Sequence, residues 1–61
     1  MKKFFTVRAN ETLNGISKGA TYKVYSVTFP KLNPEGLFYI FTDLGVWRRI
    51  SSSYFEPIDE V

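Results

Sequence analysis

Trp47-Arg48-Arg49, a tryptophan followed by two guanidiniums, is the run in this chain on which a chemical reading can be built. Tryptophan and arginine bring large contact areas and are enriched where proteins bind partners, so the trio points to recognition. Catalysis has poorer material. Serines and threonines are plentiful, but a nucleophilic hydroxyl needs a positioned base, and the chain has no histidine and no cysteine. A carboxylate pair is the remaining route, yet Glu56, Asp59 and Glu60 crowd a terminal segment that forms no cleft easily and reads as a solvated tail. Without His or Cys, only carboxylates are left as metal ligands, and no metal or other cofactor is expected. Glycines at 15, 19, 36 and 45 match no phosphate-loop spacing. The expectation is a non-enzyme.

The elements that must position Trp47 centre on Leu37 to Phe55. Leu37 to Thr42 has the β-branched and aromatic content of a strand, and Val46 to Ile50 is a second such run. Asp43-Leu44-Gly45 between them makes a hairpin with a three-residue loop, Gly45 supplying the positive φ that such a loop requires. Ser51-Ser52-Ser53-Tyr54 offers hydroxyls to the local backbone, which predicts a tight turn before Phe55 to Ile58 resumes as a strand. Upstream, Lys2 to Ala9 reads as the first strand, with Phe5, Val7 and Ala9 on one face. Asn10 to Ala20 reads as a long, partly packed loop around Leu13 and Ile16, which could form one helical turn were it not for Gly15 and Gly19. Thr21 to Phe29 is a nine-residue second strand, and Pro30 to Gly36, with two prolines, is a loop. Five short strands in 61 residues indicate one domain, residues 1–61, folded as a small antiparallel barrel.

Strand alternation puts Trp47 and Arg49 on one face and Val46, Arg48 and Ile50 on the other. If Ile50 faces the core, Arg48 points inward unless a bulge intervenes or its stem snorkels past the barrel end, and Trp47 and Arg49 then face out. The competing arrangement has Trp47 capping the barrel while Arg49 pairs with Asp43 or Glu56. The chain has eleven aromatic residues, which can outnumber the core sites of so small a domain. Eight Lys and Arg against six Asp and Glu give a net charge of +2, with the bases weighted to the first half and the acids to the end. Met1 to Phe5 imitates the start of a signal peptide, but Arg8, Asn10 and Glu11 interrupt it, and no segment approaches a membrane span. A cytoplasmic protein is the default expectation.

The order of elements resembles an SH3 domain: strand, long first loop, strand, shorter loop, hairpin, one helical turn and a final strand. Lys18 to Val24 resembles the lysine-glycine turn that opens the second SH3 strand, and Ile50 to Phe55 resembles the run that ends the fourth strand, forms the 3₁₀ turn and starts the fifth. The resemblance implies an all-β, five-stranded SH3-like barrel with a 3₁₀ turn near residues 51–54, and it adds Tyr54 to the candidate contact residues. Four features of the SH3 peptide groove are missing. There is no tyrosine motif in the first strand, Glu11 is the first loop's only acid, Leu37 and Phe38 open the third strand where a tryptophan belongs, and Ser51 replaces the proline. In general make-up the chain also resembles small phage-encoded accessory proteins.

These readings converge on a protein-interaction module, expected to be a viral accessory factor that inhibits or redirects a host protein. Its contact face is expected to comprise Trp47, Arg49, Tyr39 and Tyr25, with Arg48 beside them and Tyr54 from the resemblance. The alternative is nucleic-acid binding along Lys2, Lys3, Arg8, Lys23, Arg48 and Arg49, which the small net charge and the acidic end oppose. The chain is expected to be a monomer, or a weak homodimer paired through an uncovered edge of the long second strand.

Overall fold

The computed structural model describes residues 3–32 and 34–58. Its elements are β1 (Phe5–Ala9), β2 (Thr21–Val24), β3 (Ser26–Thr28), β4 (Leu37–Phe41), β5 (Trp47–Ser51), one 3₁₀ turn (Ser52–Tyr54) and β6 (Phe55–Pro57). They form two small antiparallel sheets, ordered β2-β1-β6 and β3-β4-β5, and neither sheet closes on itself. The expectations for Lys2, Asn33 and Asp59 to Val61 lie outside the described residues.

The count of five strands is corrected to six, because the strand expected over Thr21–Phe29 is two strands that serve different sheets. The cause is at Tyr25. Ser26 stands opposite Tyr39, yet the Tyr25 amide donates to the Tyr39 carbonyl at 3.0 Å, so two residues of one strand face one residue of its neighbour. That is a β-bulge, and it bends the chain and shifts the alternation by one residue. Tyr22 and Val24 point into the core from the first sheet, and Val27, not Ser26, packs against the core from the second. Phe29 falls beyond the end of β3 and is exposed.

The core holds Val7, Ala9, Ile16, Tyr22, Val24, Ile40, Ile50 and Phe55. An inner run of rings ties the sheets together, Phe5 to Phe38 at 5.3 Å, Phe38 to Phe55 at 5.9 Å and Phe55 to Tyr22 at 6.2 Å between centroids. Four aromatics are thus spent inside the fold. The first loop is more ordered than its polarity suggests. Leu13 and Ile16 exchange two backbone bonds around Asn14-Gly15, a miniature hairpin that delivers Ile16 to the core with 1% of its surface exposed. The hairpin between β4 and β5 has the expected loop, with the Gly45 amide donating to the Thr42 carbonyl at 3.0 Å and Gly45 at φ 78°. The Ser51 hydroxyl accepts from the Ser53 amide and starts the 3₁₀ turn.

Candidate interaction face

Register explains how the outer face of β3-β4-β5 is built. The Thr42 amide donates to the Val46 carbonyl and the Ser52 amide to the Gly36 carbonyl, so the pairs at both ends of the β4-β5 ladder are hydrogen-bonded. Antiparallel pairs alternate, which makes Ile40↔Arg48 and Phe38↔Ile50 bonded pairs and Tyr39↔Arg49 and Phe41↔Trp47 non-bonded ones. In non-bonded pairs the side chains stand closest, and these four share the outer face.

Trp47 is the hub. Its indole stacks on Tyr39 at 5.0 Å and 19°, and meets Phe41 at 5.2 Å and Tyr25 at 5.1 Å, both edge-on. The Arg49 guanidinium lies over the Tyr39 ring at 4.7 Å, a cation–π contact. Trp47 is 40% exposed and Phe41 50%, while Tyr25 and Tyr39 are half-buried. Tyr25 has outward parity by alternation from Val24, and the bulge lets Val27 resume the inward parity in the second sheet. A shallow groove of about 260 Å³ runs from this cluster onto β2, lined by Thr21, Tyr22, Lys23, Tyr25 and Phe41. Leu44 and Val46 are also exposed, but Val46 has the parity of Arg48 and Ile50 and Leu44 lies beside Gly15 of the first loop, so neither belongs to this face.

Four of the six expected contact residues, Trp47, Arg49, Tyr39 and Tyr25, are therefore brought together. Two are not. Arg48 has the inward parity of Ile50, but at the end of the sheet its side chain reaches past the core and Nη1 donates to the Asn14 carbonyl at 2.7 Å. It clamps the first loop and stays exposed. Tyr54 packs against the core at the 3₁₀ turn, its carbonyl accepting from the Asn10 amide, and has no ring contact with the cluster. Phe41 is a member that the sequence reading left out, although strand alternation from Tyr39 reaches it directly.

The arrangement in which Arg49 pairs with Asp43 or Glu56 is corrected. Asp43 is occupied elsewhere, its carboxylate accepting from the Tyr22 hydroxyl at 3.0 Å and the Ser17 hydroxyl at 2.7 Å. Glu56 lies 3.9 Å from its cross-strand neighbour Arg8. Arg49 has no carboxylate partner among the described residues, and its charge is free to face another molecule. Of the eleven aromatics Tyr22 and Phe55 are buried and Phe5, Phe38 and Tyr54 pack partly buried against the core, so six lie outside it. No group of side chains that could hold a metal ion occurs among the described residues, and no helix is long and apolar enough to cross a membrane.

No family model matches this chain, and neither the curated proteins nor the solved structures compared with it match it significantly.

Proposed function

We propose that this chain is a protein-interaction module that binds its partner through the outer face of β3-β4-β5. The observation that carries this is the Trp47 cluster, three aromatic rings gathered on Trp47 on a solvent-facing sheet surface with a guanidinium that lacks a carboxylate partner at its edge. A folding core has no use for rings placed outside it. Exposed contiguous apolar surface of this kind marks a contact site, and its composition is that of a binding hot spot. The architecture behind the face is proposed to be an SH3-like barrel. Support comes from the split second strand shared by two sheets, the hairpin and the 3₁₀ turn leading to a last strand beside β1. The likeness in make-up to small phage-encoded proteins makes a host protein in the cytoplasm the proposed target, to be inhibited or redirected.

Nucleic-acid binding is the weaker reading because the Tyr39 ring is already stacked by Trp47 and approached by Arg49, which leaves less open π-surface for a base. The test is affinity capture from host lysate with the parent chain, Trp47→Ala and Leu32→Ala side by side. Leu32 is 98% exposed and belongs to a different loop, so its variant controls for general stickiness. A protein retained by the parent and Leu32→Ala but lost by Trp47→Ala supports the face. Equal retention by all three overturns it.

A further inference from the structure

We infer that the partner segment is an acidic stretch of extended chain that adds as a fourth strand along the free edge of β5. This rests on the protein-interaction reading and names the partner's chemistry and its mode of docking. β5 has β4 on one side and no strand on the other. The alternation fixed by the Thr42–Val46 and Ser52–Gly36 bonds turns the amides and carbonyls of Trp47 and Arg49 away from β4, and among the described residues none of these groups has a backbone partner. Trp47, Arg48 and Arg49 are exposed, so the edge is open over the first three of the five residues of β5. An unpaired strand edge is a template for another chain, whose own backbone supplies the missing bonds.

Charge selects what can add. An incoming strand meets Trp47 and Arg49 on one face and, on the other, Arg48, whose Nη1 holds the neutral Asn14 carbonyl; neither arginine has a carboxylate within ion-pair distance among the described residues. Two adjacent acidic residues in an extended segment point to opposite faces and answer Arg48 and Arg49 together, while an apolar residue two places away lies against Trp47. A second copy is a poor occupant. Two-fold antiparallel pairing of β5 with itself near its centre sets Arg48 or Arg49 against an arginine of the other copy, and like charges directly opposite are destabilising. The arginines that resist self-pairing are the groups that attract an acidic strand.

The probe is a blocked synthetic peptide, acetyl-Thr-Val-Glu-Glu-Val-Thr-amide, titrated into the full chain with backbone amide exchange read residue by residue. Its controls are the Lys-Lys counterpart and two forms N-methylated at alternate positions, one set on each edge of the peptide. The expected result is that the amides of Trp47 and Arg49 exchange quickly in the free chain and at least tenfold more slowly with the Glu-Glu peptide. One N-methylated form should lose binding and the other keep it, and Arg49→Glu should exchange the preference to the Lys-Lys peptide. Equal binding by both N-methylated forms overturns the proposal and leaves the face reading standing, because docking of side chains alone ignores the peptide's amides. Equal binding of Lys-Lys and Glu-Glu peptides, or no protection at millimolar peptide, also overturns it. Loss of Trp47 dependence in lysate capture is the separate result that removes the face reading itself.

Discussion

Trp47 and Ile40 sit on adjoining strands and should respond to truncation in different ways. Ile40 is fully buried, and Ile40→Ala is expected to cost about 2 to 5 kcal/mol, comparable to the roughly 3 to 5 kcal/mol that a core of this size supplies. That variant should be largely unfolded at 37 °C by circular dichroism. Trp47→Ala removes three ring contacts but leaves no internal cavity, and we expect a loss of about 1 to 2 kcal/mol, or roughly 10 °C in melting temperature. Trp47→Phe should lie between Trp47→Ala and the parent. A Trp47→Ala chain that fails to fold would make the cluster part of the fold's stability and strip it of its standing as a contact surface.

The hairpin and the first loop act as one element. The Asp43 amide donates to the Gly15 carbonyl at 2.8 Å, the Asp43 carboxylate receives Ser17 and Tyr22, and Arg48 holds Asn14. A Cβ on Gly15 would sit 3.2 Å from the Cβ of Thr42, which is 3% exposed and whose hydroxyl donates to the Val46 carbonyl. Gly45 has the same sign of φ but open space around it. Gly45→Ala should therefore cost only the strain of a left-handed backbone, about 1 kcal/mol, and Gly15→Ala about twice that, a ranking that denaturant melts can read. A double-mutant cycle with Tyr22→Phe and Asp43→Ala should show a coupling of about 1 kcal/mol, and a value near zero would mean that the loop is not held through this carboxylate.

The same elements show what could be read from the chain and what could not. The hairpin, Gly45 and the 3₁₀ turn were legible because each is specified by three or four consecutive residues. The outward set Tyr39, Trp47 and Arg49 was legible because alternation within a hairpin is local too. The bulge at Tyr25 was not, since no glycine or proline marks it and it exists only because one strand must serve two sheets. Nor was the partner of Asp43, 21 residues from Tyr22 and 26 from Ser17, or the side of the core past which Arg48 would reach. These depend on which loops the finished fold sets side by side.

At the scale of the whole molecule the placement of cations bears on the nucleic-acid alternative. Lys3, ahead of β1, donates to Thr6 at 3.0 Å and Arg8 on β1 faces Glu56 on β6, while Arg48 and Arg49 lie on opposite faces of β5 in the other sheet. No stripe results. Each phosphate neutralised contributes roughly 0.7 to 0.9 to the slope of log affinity against log salt, so contact with only a few of these charges gives a shallow salt dependence. We expect no micromolar binding to single- or double-stranded oligonucleotides at about 50 mM salt, measured by fluorescence anisotropy. Micromolar affinity with a salt slope steeper than about −4 would require at least about five or six phosphates in contact. Such a footprint would need cations of both sheets to meet one ligand, which would carry the binding surface from the Trp47 face along the Lys23 groove onto β2.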